Sequence, residues 1–139
     1  MIWMGTEIGL EGVTGEDGRR TMPWDHPNTW DSDTRNVFKD FIKLRQSLAA
    51  LRDGSMRWLY ADADCVVFVR ELPDQTVLVH LARGPAATVT VPAAAVNAGP
   101  GQTWQQVYPN SGTMKPVRAL ALQSVEPMAA VYVLQSDQA

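Results

Sequence analysis

The spacing of apolar residues changes character along the chain, and each change predicts a different element. Ile2-Trp3-Met4 is a short apolar run closed by Gly5, the pattern of a fully buried strand in a parallel sheet. A parallel strand needs neighbours delivered by crossovers of a dozen or more residues. Nothing precedes this one, so the expectation is a chain that continues something else. From Gly5 to Trp30 no apolar period holds. Gly9, Gly12, Gly15 and Gly18 recur every third residue among charged and β-branched side chains, and a long loop is predicted. Loops beyond about 12–15 residues are usually functional or disordered. The run is too short and too poor in Pro for collagen, and no Gly-Lys-Ser/Thr follows to make a phosphate loop.

A helical period begins after Asp31-Ser32-Asp33-Thr34, which offers several N-caps with acidic groups at the positive helix end. Val37, Phe38, Phe41, Ile42, Leu44, Leu48 and Leu51 mark one face; Arg35, Lys39, Asp40, Lys43 and Gln46 fall largely opposite. One helix over 33–51 is predicted, stopped by Gly54 in the usual C-terminal role. Phe38 and Phe41 read as core. Beyond Gly54 the period falls to two. Strands are predicted at Met56–Ala61, Val66–Leu72, Thr76–Ala82, Thr88–Val91, Thr103–Tyr108, Val117–Leu122 and Met128–Leu134. Pro73-Asp74 marks a hairpin turn between the second and third. Seven short strands separated by turns argue for an antiparallel sandwich or barrel.

Composition narrows the classes. The 139 residues suit one domain, or a small domain with an appendage, and 45% hydrophobic content can supply a core. With 12 Lys+Arg against 15 Asp+Glu, the net charge of -3 gives no basic footprint for nucleic acid or an anionic membrane. No apolar run reaches the ~18 residues of a membrane helix, and the start is unlike a secretory signal. A cytoplasmic location is expected. The single Cys65 lies in a strand pattern with no cation beside it, so it reads as an inert buried thiol rather than a disulfide or zinc partner. His80 alternates with Leu78 and Ala82 and has no companion ligands, which makes it an ordinary strand histidine. His26 has no partner in view. No metal or cofactor site is expected.

Trp58, Tyr60, Trp104 and Tyr108 could form a sugar-stacking platform, but Trp and Tyr are also ordinary residents of half-buried strands. Glu7, Glu11, Glu16, Asp17 and Asp25 all sit on one strand-end and its loop, so they read as solvated charge rather than an acid–base pair. Glu7 is most simply a structural hydrogen-bonding residue.

Met1-Ile2-Trp3-Met4-Gly5-Thr6-Glu7-Ile8-Gly9 resembles the last barrel strand of glycoside hydrolase family 13, the α-amylase family, with its apolar run and Gly-x-Glu-x-Gly. Gly12 and Asp17-Gly18-Arg19-Arg20-Thr21-Met22-Pro23-Trp24-Asp25 look like the following loop in the α-glucosidase and neopullulanase-like branches. Phe38, Ile42, Leu44-Arg45 and Leu51 to Gly54 are similar to the eighth barrel helix and the link after it. The resemblance implies residues 1–54 as the strand, loop and helix that end a (β/α)₈ barrel, and 55–139 as a C-terminal antiparallel β-sandwich of Greek-key type. The fold class expected is therefore mainly β. The resemblance implies hydrolysis or transfer at α-glucosidic bonds with retention, using a carboxylate nucleophile and a carboxylic acid roughly 5–5.5 Å apart and a third carboxylate that helps hold the sugar. The family's catalytic carboxylates come from the fourth, fifth and seventh strands. By that resemblance all would lie before Met1, and no catalytic residue is assigned here.

The resemblance also implies that Arg19 lines the glycone side of the cleft. Its usual Asp partner falls on Gly15, and Asp17 or Glu16 stands in. Arg20 and Trp24 are expected to order the loop. The implied partner is an α-glucan or malto-oligosaccharide, met through the barrel. Two other readings stay open: a freestanding carbohydrate-binding sandwich, and one half of a split glycosidase completed by an upstream polypeptide.

Overall fold

The alternation after Gly54 becomes a β-sandwich in the computed structural model, which describes residues 2–109 and 119–136 in full and the backbone of 114–116. Two compact units divide the chain, Met1–Ser47 and Leu48–Ala139. The division comes before Gly54 because the segment after Ser47 packs with the strands.

In the second unit the strands are β1 (Ser55–Ala61), β2 (Cys65–Leu72), β3 (Gln75–Ala82), β4 (Ala86–Pro92), β5 (Gln102–Tyr108), β6 (Met114–Pro116), β7 (Ala119–Ser124) and β8 (Met128–Ser136). Six form one antiparallel sheet in the order β1-β2-β3-β8-β5-β6, and β4 pairs with β7 in a second. The chain leaves the large sheet after β3 for β4, returns as β5 and β6, crosses again to the small sheet as β7, and comes back as β8 between β3 and β5. The predicted hairpin is present, with Leu72 opposite Gln75 across Pro73-Asp74. Of the predicted strand at Val117–Leu122, the first two positions lie outside the described residues.

Side chains facing inward from both sheets build the core: Cys65, Val67, Val69 and Leu78 from one, Val89, Val91, Leu120 and Leu122 from the other, with Trp104 only 1% exposed. Alternation is cleanest in β7, where Leu120, Leu122 and Ser124 are buried and their neighbours exposed. It fails in β3, where Val77, Leu78, Val79 and His80 are all buried. One cause is α2 (Ala49–Asp53), which lies against β2 and β3 and places Ala50 out of solvent.

The single helix predicted over 33–51 is two. The first, α1, spans Ser32–Ser47, and Leu48 is extended (φ -107°, ψ 108°) before α2 begins. Tertiary bonding overrides the helical propensity of Leu48: the Ala50 N–H donates to Gln75 Oε1 at 2.8 Å, a partner on β3. Gly54 ends α2 without the expected left-handed turn, since its φ is -68°. Crowding requires glycine there. A Cβ would lie 2.6 Å from the Ala50 carbonyl oxygen and 3.0 Å from that of Glu71. Arg70 donates from Nε and Nη2 to the Gly54 carbonyl at 3.2 and 2.7 Å, closing this corner.

In the first unit α1 follows three single 3-10 turns, Thr6–Ile8, Asp17–Arg19 and Pro27–Thr29. The strand expected at Ile2–Met4 is not formed. Residues 2–47 contain no strand, so its N–H and C=O groups have no ladder to join, and Ile2, Trp3 and Met4 are 52%, 63% and 47% exposed. The N-cap of α1 is Asp31, whose Oδ1 accepts from the N–H groups of Asp33 and Thr34 at 3.0 Å each and whose Oδ2 accepts from Thr34 Oγ1 at 2.6 Å. Those bonds hold its carboxyl below the usual range, the Thr34 hydroxyl contributing most.

Candidate functional site

The loop from Gly5 to Asp31 closes on itself. Gly5 (φ 89°) and Gly9 (φ 67°) take left-handed conformations on either side of Thr6–Ile8, where other residues would be strained. That turn lets the Gly5 carbonyl accept from the N–H groups of Ile8 and Leu10 at 3.2 and 2.9 Å. It also buries Ile8 to 4% exposure. The Asp31 N–H donates to the Ile8 carbonyl at 3.0 Å, tying the beginning of the loop to the start of α1.

Inside this closure Asp17 is the organising side chain. Its Oδ2 accepts the Val13 N–H at 2.9 Å, while its own N–H donates to Thr14 Oγ1 at 3.2 Å. Arg20 grips both carboxylate oxygens, Nε to Oδ1 at 2.9 Å and Nη2 to Oδ2. The Arg20 contact, then the Val13 N–H, lowers the Asp17 pKa, and the pairing raises that of Arg20. Arg19 points elsewhere. Its side chain is 70% exposed and lies 3.9 Å from Glu16, which is 87% exposed. Thus Asp17 is engaged by Arg20 and is not brought to Arg19.

The end of the loop is aromatic. Trp24 and Trp30 meet edge to face, with centroids 6.0 Å apart and planes at 72°. Trp30 Nε1 donates to the Pro23 carbonyl at 3.2 Å, and the Arg35 guanidinium sits 5.4 Å above the Trp30 ring. Trp24 remains 69% exposed. A small pocket of about 270 Å³ lies within the loop, lined by Ile8, Leu10, Glu11, Arg20, Pro23 and Thr29. It excludes both Arg19 and Asp17. Glu7 Oε2 is buried and has no hydrogen-bond partner among the described residues, where the sequence led us to expect a structural hydrogen bond.

The four strand aromatics do not form a platform. Trp104 is core, and Tyr60 packs against the core with its hydroxyl donating to Asp62 Oδ2 at 2.6 Å. Tyr108 is half-buried. Trp58 alone is 58% exposed, edge-on to Phe68 at 5.4 Å. Cys65 is buried, and burial raises its thiol pKa. Three carboxyls with displaced titration, Asp17, Asp31 and Asp62, are all lowered, the opposite of what a glycosidase acid requires. Among the described residues no three His, Cys, Asp or Glu side chains gather as a metal site, and no helix is long and apolar enough to cross a membrane.

No family model matches the chain. It is 35% identical over 124 residues to Neopullulanase 2 of Thermoactinomyces vulgaris, a match covering 83% of this chain and 20% of that protein. A solved cyclomaltodextrinase superposes with a TM-score of 0.79 at 25% identity, over 96% of this chain and 23% of that one. The cyclic α-maltosyl-(1→6)-maltose hydrolase of Arthrobacter globiformis, solved with cyclic α-maltosyl-(1→6)-maltose, gives 0.66 at 23% identity, over 96% and 26%. The chain therefore belongs to glycoside hydrolase family 13, the α-amylase family, and corresponds to the C-terminal region with its β-sandwich. It spans about a fifth of the length of the neopullulanase it matches.

Proposed function

We propose that this chain is the C-terminal part of an α-glucosidase-like hydrolase acting with retention on maltose and malto-oligosaccharides. In this reading residues 1–54 complete a (β/α)₈ barrel, 55–139 brace it, and the chain alone has no glycosidase activity. The match to Neopullulanase 2 over 124 residues carries the proposal. Arg19 supplies the sugar contact. Among the described residues its exposed guanidinium is met by a 3.9 Å approach to Glu16 alone, which leaves donors available for sugar hydroxyls. Asp17 contributes by locking Arg20 and so fixing the turn that presents Arg19.

A chimera tests this. The matching segment of Neopullulanase 2 is replaced by this chain, and malto-oligosaccharide hydrolysis is measured. The expected result is a folded, active chimera in which Arg19→Ala raises KM about three- to tenfold with a smaller change in kcat. A folded chimera without activity overturns the assignment of the chain. Unchanged kinetics on Arg19→Ala overturn the role of Arg19.

A further inference from the structure

A further cleft lies on the sandwich, apart from the residues the sequence offered as candidate site residues. It is an open cleft of about 1270 Å³. The β2–β3 turn, the 3-10 turn Ala93–Val96 with Asn97, the start of β5 and the end of β8 enclose it. Its floor and walls are mainly polar, and no lining residue is aromatic.

Three glutamines define its chemistry. Gln75 Oε1 accepts the Ala50 N–H at 2.8 Å, and Gln102 Oε1 accepts the Gly99 N–H at 2.7 Å. Each amide is pinned through its oxygen, which fixes the plane of an NH₂ group that has no further hydrogen bond among the described residues. Gln135 is held the other way round, donating from Nε2 to Gln105 Oε1, so its own oxygen is left to accept. The cleft thus presents two fixed donor groups and one fixed acceptor. Asn97 adds a fourth amide from a left-handed position (φ 52°). The charged lining residues are Arg57, Glu71 and Asp74, one positive and two negative. Arg57 and Glu71 neutralise each other through bonds of 2.7 and 3.2 Å. The remaining balance is slightly negative, which disfavours phosphate, nucleic acid and other anions.

Preorganised neutral donors and acceptors, with Leu72, Pro73 and Leu134 among the lining but no aromatic ring, match a neutral polyhydroxylated ligand. We propose that this cleft binds a stretch of oligosaccharide, and that the sugar is an α-glucan; the α-linkage rests on the function proposed above, while the preference for a neutral polyol rests on the cleft alone. Binding is expected at millimolar concentrations, because an open, wet site of amide contacts retains little of its gross interaction energy.

The experiment is a titration of the ¹⁵N-labelled 139-residue chain with maltoheptaose, followed by the side-chain NH₂ signals of Gln75, Gln102 and Asn97. Saturable shifts of these signals are expected, with cellohexaose producing much weaker ones. Asn97→Gly preserves the left-handed backbone while removing the amide, and should weaken maltoheptaose binding about three- to tenfold. Gln135→Ala should act in the same direction. Absence of shifts at these residues with either sugar, or shifts confined to Trp58 or Arg19, overturns the site. Equal response to cellohexaose leaves the cleft a sugar site but overturns the α-glucan assignment and counts against the proposed function.

Discussion

The two units are held together by different forces. Among residues 2–47 the single buried apolar side chain is Ile8, and α1 has none at all. In the second unit two sheets enclose a core centred on Val67, Leu78, Trp104 and Leu122. The first unit relies instead on loop hydrogen bonds, an N-cap and exposed ion pairs, each of which contributes modestly in water. Local opening should therefore begin in 2–47 and cost far less than global unfolding.

The sharpest way to separate the units is to remove a core ring. Trp104→Ala should destabilise the sandwich by about 3–5 kcal/mol, read from urea unfolding by circular dichroism. If the unfolding free energy falls by less than a third of that amount, the second unit is not organised around this ring.

A smaller effect should follow pH. His80 is 1% exposed, and burial lowers its pKa below the ordinary 6.5. The folded chain then binds its proton less readily than the unfolded chain. Stability is full above about 6.5 and falls as pH drops from there toward the folded value. His80→Leu should flatten this acid limb for the sandwich while leaving amide exchange in 2–47 unchanged. An acid limb that persists in the variant would assign it to other groups.

The smallest effect distinguishes neighbours in the loop. Arg20→Ala should speed amide exchange at Val13 and through Asp17–Arg19, because Asp17 loses its bidentate partner. Arg19→Ala should leave these amides unaltered. Equal acceleration in both variants would dissolve the distinction between an ordering arginine and a presenting one.

Much of the sandwich was legible because alternation is a property of the strand itself. Seven strands announced themselves by period; β6 did not, since three residues ending in Pro116 carry no period and pair along one edge. Features set by distant partners stayed hidden. Ile2–Met4 has a strand's composition, yet strands exist only in pairs. The break at Leu48 depends on Gln75, which is 25 positions from Ala50 in sequence. In the loop, the residues of interest were visible but their pairing was not. Asp17 and Arg20 are three apart across a 3-10 turn, where such side chains eclipse, and that spacing was the available signal. The polar cleft could not be read, because its amides come from four separated segments and acquire direction only from folded partners.

In the proposed function this chain contributes a cleft wall and a brace to an α-glucan hydrolase and holds no reacting pair of carboxylates. Incubation of the purified 139-residue chain with maltose and an aryl α-glucoside tests it most directly. The account predicts release of glucose and aglycone no faster than the no-protein blank. Turnover above that blank, abolished by Glu16→Gln or Asp17→Asn, would contradict it.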